Sequence, residues 1–366
     1  MNQYFLILIW VLFMGLFITR QQYTYIEDDE LITTKPSKLY CIFLVLPLII
    51  SAAFRTTFGD QGYKIAFRAA TGTDSLGQLI STIQGGAKGP GYYVLQFLGN
   101  TIFGYNAELF FFVVAAFQML ALIRLYRKYS VNLWVAIFVF VASTDYLSWM
   151  QNGIRQFIAV SIILLFSDWI FEKKLIRMCI VILVAATVHT SSLIMIPILF
   201  IIQGEAFNKK TFLAMVGTVG VIFSLARLVP FLDTILSSTE YSGAISDWQN
   251  SGNDGVNWLR VAVYSTPVFL SFVGARSIKN SEDKVIHITC NMGIISTLIY
   301  IIGAFTSGIY IGRLPIYLSL YSNGILLPWL LKNAFNQETK KILYVLMIML
   351  YIIFYWYQTH MVWGII

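Results

Sequence analysis

Long apolar runs separated by short basic connections constrain this chain more than any other feature. Residues 107–126, 131–150, 211–236, 285–306 and 309–331 are such runs, each reaching the roughly 20 residues that a helix needs to cross a hydrocarbon core of about 30 Å. Shorter runs cover 4–19, 39–54, 154–171, 175–188, 191–202, 258–275 and 342–357. Lipid offers a backbone no water, so each run is expected to be helical. The chain is 58% hydrophobic and 12% charged, where a soluble domain carries about a quarter charged residues. The expected fold is all-α: a polytopic transmembrane helical bundle of about twelve spans, forming a single integral membrane domain over residues 1–366. The first run lacks a basic leading region and a small-x-small cleavage site, so it reads as a retained helix. Cys41, Cys179 and Cys290 lie inside apolar runs without metal-ligand spacing and read as packing residues.

Charge bias sets the orientation. Six connections hold seventeen of the 25 basic residues: Arg20/Lys35/Lys38, Arg124/Arg127/Lys128, Lys173/Lys174/Arg177, Lys209/Lys210, Arg276/Lys279/Lys284 and Lys332/Lys340/Lys341. With these on the cytoplasmic side, both termini lie outside. Residues 55–106 and 237–257 then form extracytoplasmic loops. The first of these is the longest connection, and its apolar stretch 92–103 is too short to span, so it reads as interfacial or re-entrant. Parity demands that the run 175–202 break near His189 and return. Each arm would be about 20 Å long at 1.5 Å per residue, shorter than the core, which places His189 at the floor of a cavity open to the outside.

Eight basic residues remain: Arg55, Lys64, Arg68, Lys88, Arg155, Arg227, Arg260 and Arg313. They fall on the outer side or in spans near it and are the functional candidates, with snorkelling anchorage as the alternative reading for each. The dispersed +7 charge does not suggest nucleic acid. No P-loop, dinucleotide fingerprint, zinc-spaced Cys/His set or Asp-x-Asp pair is present, so neither a metal nor another cofactor is expected.

Four constellations carry chemistry. Arg55, Asp60 and Tyr63 combine a cation, a glycine-supported carboxylate and a ring, or form an interfacial anchor. Asn152, Arg155 and Gln156 open a helix, where Arg155 offers forked donors to a diphosphate at the positive end of the helix dipole; the alternative is a helix start with Asn152 as cap. His189, with Ser191 and Ser192, offers a base or a phosphate-holding cation, or else a satisfied core histidine. Arg313 and Tyr317, four apart, share a helix face. Arg260 beside Trp258 is a weaker case and Arg227 weaker still. Asp145 and Tyr146 either line the same cavity or end a helix. Asp247 and Asp254 read as solvated, although with Trp248 their loop could touch saccharide. His287 and His360 read as incidental.

These sets occur in a telling order: Phe54-Arg55 then Gly59-Asp60-x-x-Tyr63, Gly91-Tyr92-Tyr93-Val94-Leu95, Asn152-x-x-Arg155-Gln156-x-x-Ala159, His189-x-Ser191-x-Leu193 and Arg313-x-x-x-Tyr317. Together they resemble the EpsG family of exopolysaccharide-biosynthesis membrane proteins, similar to polymerases of O-antigen and capsule. An acidic residue expected near Gly91 is replaced by Lys88-Gly89-Pro90, so that position receives no catalytic role. The resemblance implies a glycosyltransferase C-like architecture and a polymerase in the bacterial plasma (inner) membrane, its active site facing outside. Its substrate would be a polyprenyl-diphosphate-linked oligosaccharide. Arg155, Arg313, Arg55 and Arg260 would bind diphosphate, Asp60 or His189 would be the base, and Tyr63, Asn152, Gln156, Tyr317 and Ser191 would contact substrate. A chain-length regulator and a flippase of the same pathway are the expected protein partners. Rival readings are a flippase or transporter of the lipid-linked oligosaccharide, and a polysaccharide-modifying membrane acyltransferase.

Overall fold

The computed structural model describes residues 3–18, 24–27, 30–33, 35–56, 58–236 and 255–365. The loop 237–257 lies outside the described residues apart from its last three positions, and so do Asp247, Trp248 and Asp254.

Every apolar run is helical. Among the described residues, four helices have both the length and the composition to cross a membrane: Ala107–Tyr129, Lys284–Phe305, Ile311–Asn333 and Gln337–Val362. A fifth crossing arises if Leu133–Ala142 and Tyr146–Asn152, bent by 71°, count as one. Five further apolar helices have 10–17 residues. The architecture is all-α as expected, with one short strand pair beside the helices. Thr24–Glu27 pairs antiparallel with Glu30–Thr33.

The described residues group into two compact units. The first comprises residues 1–167, 187–189 and 342–366, and the second 168–186 and 190–341. In the first, Lys38–Ala53 packs on Ala107–Tyr129, which packs on Ile154–Leu165, while Gln3–Ile18 packs on Leu133–Ala142. Polar starts fix these helices. Ser37, Asn106 and Asn132 each accept a backbone N–H of the first turn, satisfying donors that no intrahelical carbonyl reaches.

The run 131–150, expected to be continuous, breaks at Ser143–Asp145 and resumes as the π-helical turn Tyr146–Asn152. Thr144 sits at φ 67°, a conformation that a β-branched residue adopts only where its surroundings hold it. Asp145, 1% exposed, supplies the hold: it accepts from Ser143 Oγ at 3.1 Å and from Trp149 Nε1 at 3.0 Å. A carboxylate buried with two donors costs far less than a bare one.

In the second unit Lys284–Phe305 is central, contacted by Lys209–Leu236, Trp258–Tyr264, Thr266–Val273 and Ile316–Tyr321. His287 is not idle there: its Nδ1 accepts the Ala206 amide at 3.0 Å, and Asn291 accepts the Phe207 amide at 3.2 Å. Both hold the 203–208 connection. The run 175–202 does break where charge parity places the break. Leu175–Val188 ends before His189, a 3-10 turn covers Thr190–Ile194, and Met195–Ile201 follows.

Candidate functional site

The Phe58–Asp60 turn, the first turn of the Pro90–Phe103 helix, the first turn of the Ile154–Leu165 helix and residues 187–189 all belong to the first unit. The bend at Ser143–Asp145 organises them. It delivers the Gln151 carbonyl, which accepts the Asp60 N–H at 2.9 Å. Gly59 lies against the same carbonyl at φ +86°, so close that an added Cβ would sit 2.3 Å from the oxygen. Both the backbone angle and the contact exclude a side chain. Phe58 anchors the turn between the rings of Tyr4 and Trp363, at 6.0 and 5.0 Å. Asp60 itself is exposed, and its Oδ1 accepts the Gly62 N–H at 2.9 Å.

Arg55 is 1% exposed. Its Nη1 donates to the Ala52 carbonyl at 2.6 Å, its Nη2 donates to the Asp60 carbonyl at 3.4 Å, and its guanidinium lies 4.7 Å from the Phe111 ring centre. Burial pulls the Arg55 pKa down to about 10, opposed by Tyr92, Asp60, Glu108 and Tyr4, so it stays charged at neutral pH. Lys64, also buried, donates to the Arg55 carbonyl at 3.1 Å and to Glu108 at 3.2 Å, and Arg68 pairs with the same carboxylate. Burial lowers the Lys64 pKa and Glu108 opposes the shift. These three cations and one carboxylate tie the end of Lys38–Ala53 to the start of Ala107–Tyr129.

Arg155 occupies a different setting. Its guanidinium lies 4.5 Å from the ring centre of Tyr92, 5.2 Å from Tyr63 and 5.7 Å from Tyr93. Cation–ring attraction of about 0.5–2 kcal/mol per ring orients the cation without neutralising it. The Nε is buried without a hydrogen-bond partner, and no carboxylate pairs with Arg155 among the described residues. Tyr63 and Tyr92 meet edge to face at 5.6 Å. Burial pushes the Tyr92 phenol above its ordinary range, so that ring stays neutral. Tyr92 and Tyr93 were not singled out as site residues from sequence; only the Gly91-Tyr92-Tyr93 motif marked them. Gly91 brings them in: its Cβ would fall 2.4 Å from Thr187 Oγ1, so the start of the Pro90–Phe103 helix lies directly on the segment leading to His189.

The Tyr92 hydroxyl is buried without a partner. Tyr92→Phe is therefore expected to keep the ring wall and to change stability by no more than about 0.5 kcal/mol, read by thermal unfolding in detergent. A large loss would show that the hydroxyl is bonded.

The remaining expected residues fall as follows. Gln156 is 4% exposed. Asn152 is exposed and does not cap the Ile154–Leu165 helix, whose N-cap is Gly153 without a side-chain bond; the capping alternative is thereby corrected, because the π-helical turn carries Asn152 away from that role. His189 is half-buried. The second unit holds the rest. Ser191 Oγ and Tyr317 OH share a hydrogen bond at 2.9 Å. Arg260 lies 5.4 Å from the Tyr264 ring centre. Arg313 ends the 3-10 turn Ile311–Arg313, one proline before the Ile316–Tyr321 helix. The regular α-helical face shared by Arg313 and Tyr317 is thus interrupted, and Tyr317 is 1% exposed while Arg313 is half-buried. The Arg227 side chain lies outside the described residues.

Long apolar helices with buried polar clusters define an integral membrane protein. A family model described as the EpsG family matches residues 38–363, and the chain belongs to that family, whose character is that of exopolysaccharide polymerase-like membrane proteins. No curated protein and no solved structure matches the chain.

Proposed function

We propose that this protein is a polysaccharide polymerase. It transfers a growing glycan from polyprenyl diphosphate to a hydroxyl of an incoming lipid-linked repeat unit, at the outer face of the plasma membrane. The observation that carries this reading is Arg155: a charged guanidinium, framed by Tyr63, Tyr92 and Tyr93, with a buried Nε lacking a partner. A cation so placed is completed by an anion, and the start of the Ile154–Leu165 helix adds the positive end of its dipole. Tyrosine faces also suit the apolar face of a sugar ring.

In the reaction the acceptor oxygen bonds to the anomeric carbon as the bond to the diphosphate oxygen breaks. The diphosphate leaves with the electron pair, and the hydroxyl proton passes to a base. Arg155 stabilises the charge developing on the leaving group. Asp60, exposed on its fixed turn, and His189, beside the Thr187 contact, are the two bases this reading offers. Arg55, already engaged by two carbonyls, serves to position the Asp60 turn. Asn152 and Gln156, in the first unit with Arg155, are assigned to the glycan; phosphate contacts of Arg313 and Arg260 and glycan contacts of Tyr317 and Ser191 are what the resemblance implies for the second unit.

The test is reconstitution of the purified protein in vesicles with lipid-linked repeat unit presented on the outer face and no nucleotide. A ladder of chain lengths is expected. Transfer of intact units across the bilayer without a ladder would replace this reading with that of a transporter.

A further inference from the structure

The Asp60 turn has a second anchor besides the Gln151 carbonyl. Phe58 lies two residues before Asp60. Its ring meets Tyr4 edge to face at 6.0 Å and Trp363 at 5.0 Å. All these residues belong to the first unit.

A built helix end delivers Trp363. The crossing helix Gln337–Val362 closes in a π-helical turn over Tyr357–Val362. The Trp363 N–H donates to the Gln358 carbonyl at 3.0 Å, and the Ile365 N–H returns to the Thr359 carbonyl at 2.9 Å across Gly364 at φ +60°. The return bond satisfies a carbonyl that the helix leaves open, at a backbone angle suited to glycine. Thr359 is fully buried, and its Oγ1 donates to the Tyr355 carbonyl at 2.6 Å.

The same helix is tied to both anchors of the turn. Tyr355 OH donates to the Tyr4 carbonyl at 2.6 Å and shares a hydrogen bond with Tyr146 OH at 2.9 Å. Tyr146 opens the Tyr146–Asn152 turn, whose Gln151 carbonyl accepts the Asp60 N–H at 2.9 Å. Phe58 and Asp60 are thus fixed by elements that Tyr355 joins.

We propose that Trp363 is a positioning residue for Asp60: with Tyr4 it seats Phe58, and so sets where the Asp60 carboxylate stands toward the acceptor hydroxyl. The assignment rests on the polymerase reading with Asp60 as its base. Diphosphate binding stays with Arg155, so loss of the Trp363 ring acts on turnover and not on affinity for the lipid-linked unit.

The test compares the full-length parent with Trp363→Ala, Trp363→Phe and Met361→Ala, Met361 being exposed in the same turn. Hydrogen–deuterium exchange in detergent reads the turn without substrate. In Trp363→Ala, exchange over residues 58–62 should rise by about 2–12-fold, the factor that one aromatic pair is worth, while the Ile154–Leu165 helix exchanges as in the parent. In vesicles supplied with lipid-linked repeat unit, turnover should fall about tenfold at an unchanged KM, within the roughly 10²-fold that a 1 Å misplacement costs. Trp363→Phe should restore both readouts, and Met361→Ala should alter neither. Parent-like exchange over residues 58–62 in Trp363→Ala, a rise spread equally over the Ile154–Leu165 helix, or an unchanged turnover would overturn the assignment. A parent that forms no ladder would instead contradict the polymerase reading, and the exchange over residues 58–62 would still decide whether Trp363 holds the turn.

Discussion

Arg155→Ala is expected to lower polymerisation by about 10²–10³-fold, the range for losing a preorganised donor to a developing anion. Single repeat units should remain on their lipid. Three tyrosine rings hold the guanidinium and, among the described residues, no carboxylate does, which leaves its charge to a ligand rather than to a salt bridge with them. Arg155→Lys should recover little, because an ammonium lacks the planar fork and stacks poorly on rings. Arg155→Met keeps most of the volume between the rings without the charge and should be as inactive as alanine. Loss of the ring contacts should lower thermal stability in all three, so activity is compared at a temperature where each variant remains folded, separating chemistry from folding. Parent-like ladder formation by Arg155→Met would remove Arg155 from the chemistry.

Gly59→Ala is the second large effect. Two costs are combined at this position, a φ of +86° and a backbone oxygen 2.3 Å from where the Cβ would lie. Together they are expected to cost about 2–4 kcal/mol or to push the turn off Gln151, breaking the Asp60 N–H bond to its carbonyl. Polymerisation should fall with it. Gly86 separates the two contributions, since it has a φ of +81° and nothing within 4 Å of its added Cβ. Gly86→Ala should therefore cost only about 1 kcal/mol, measured by thermal unfolding in detergent. Equal losses at the two positions would show that the close approach to Gln151 carries no weight.

What could be read in advance follows the physics of each feature. Lipid forces apolar runs into helices, so the helical runs were legible, and parity of the basic connections located the break at His189. The count of leftover basic residues marked Arg155, the grouping of cation, carboxylate and ring marked Asp60 and Tyr63, and the resemblance then implied roles for them. The bend at Ser143–Asp145 was not legible as a bend. Asp145 accepts from Ser143 and Trp149 only once the chain has turned, and the left-handed Thr144 is held by its surroundings. Tyr92 and Tyr93 stayed in the background because they reach Arg155 across some sixty residues of chain, a proximity that no local pattern encodes. Arg55 looked like an available cation from sequence, yet carbonyls of Ala52 and Asp60 accept from its two Nη atoms, and only its buried Nε is left without a hydrogen-bond partner. Charge counting reveals which residues are costly in a membrane, but tertiary contacts decide which of them remain available to a ligand.

The central claim, that Arg155 with its tyrosines holds a lipid diphosphate, is most directly tested by equilibrium binding of polyprenyl diphosphate and polyprenyl monophosphate to the purified protein. The parent should prefer the diphosphate. Arg155→Ala should weaken diphosphate binding by about 10–150-fold, as loss of a hydrogen-bonded charge requires, while Tyr92→Phe should bind like the parent. Undiminished diphosphate affinity in a folded Arg155→Ala protein would contradict the account.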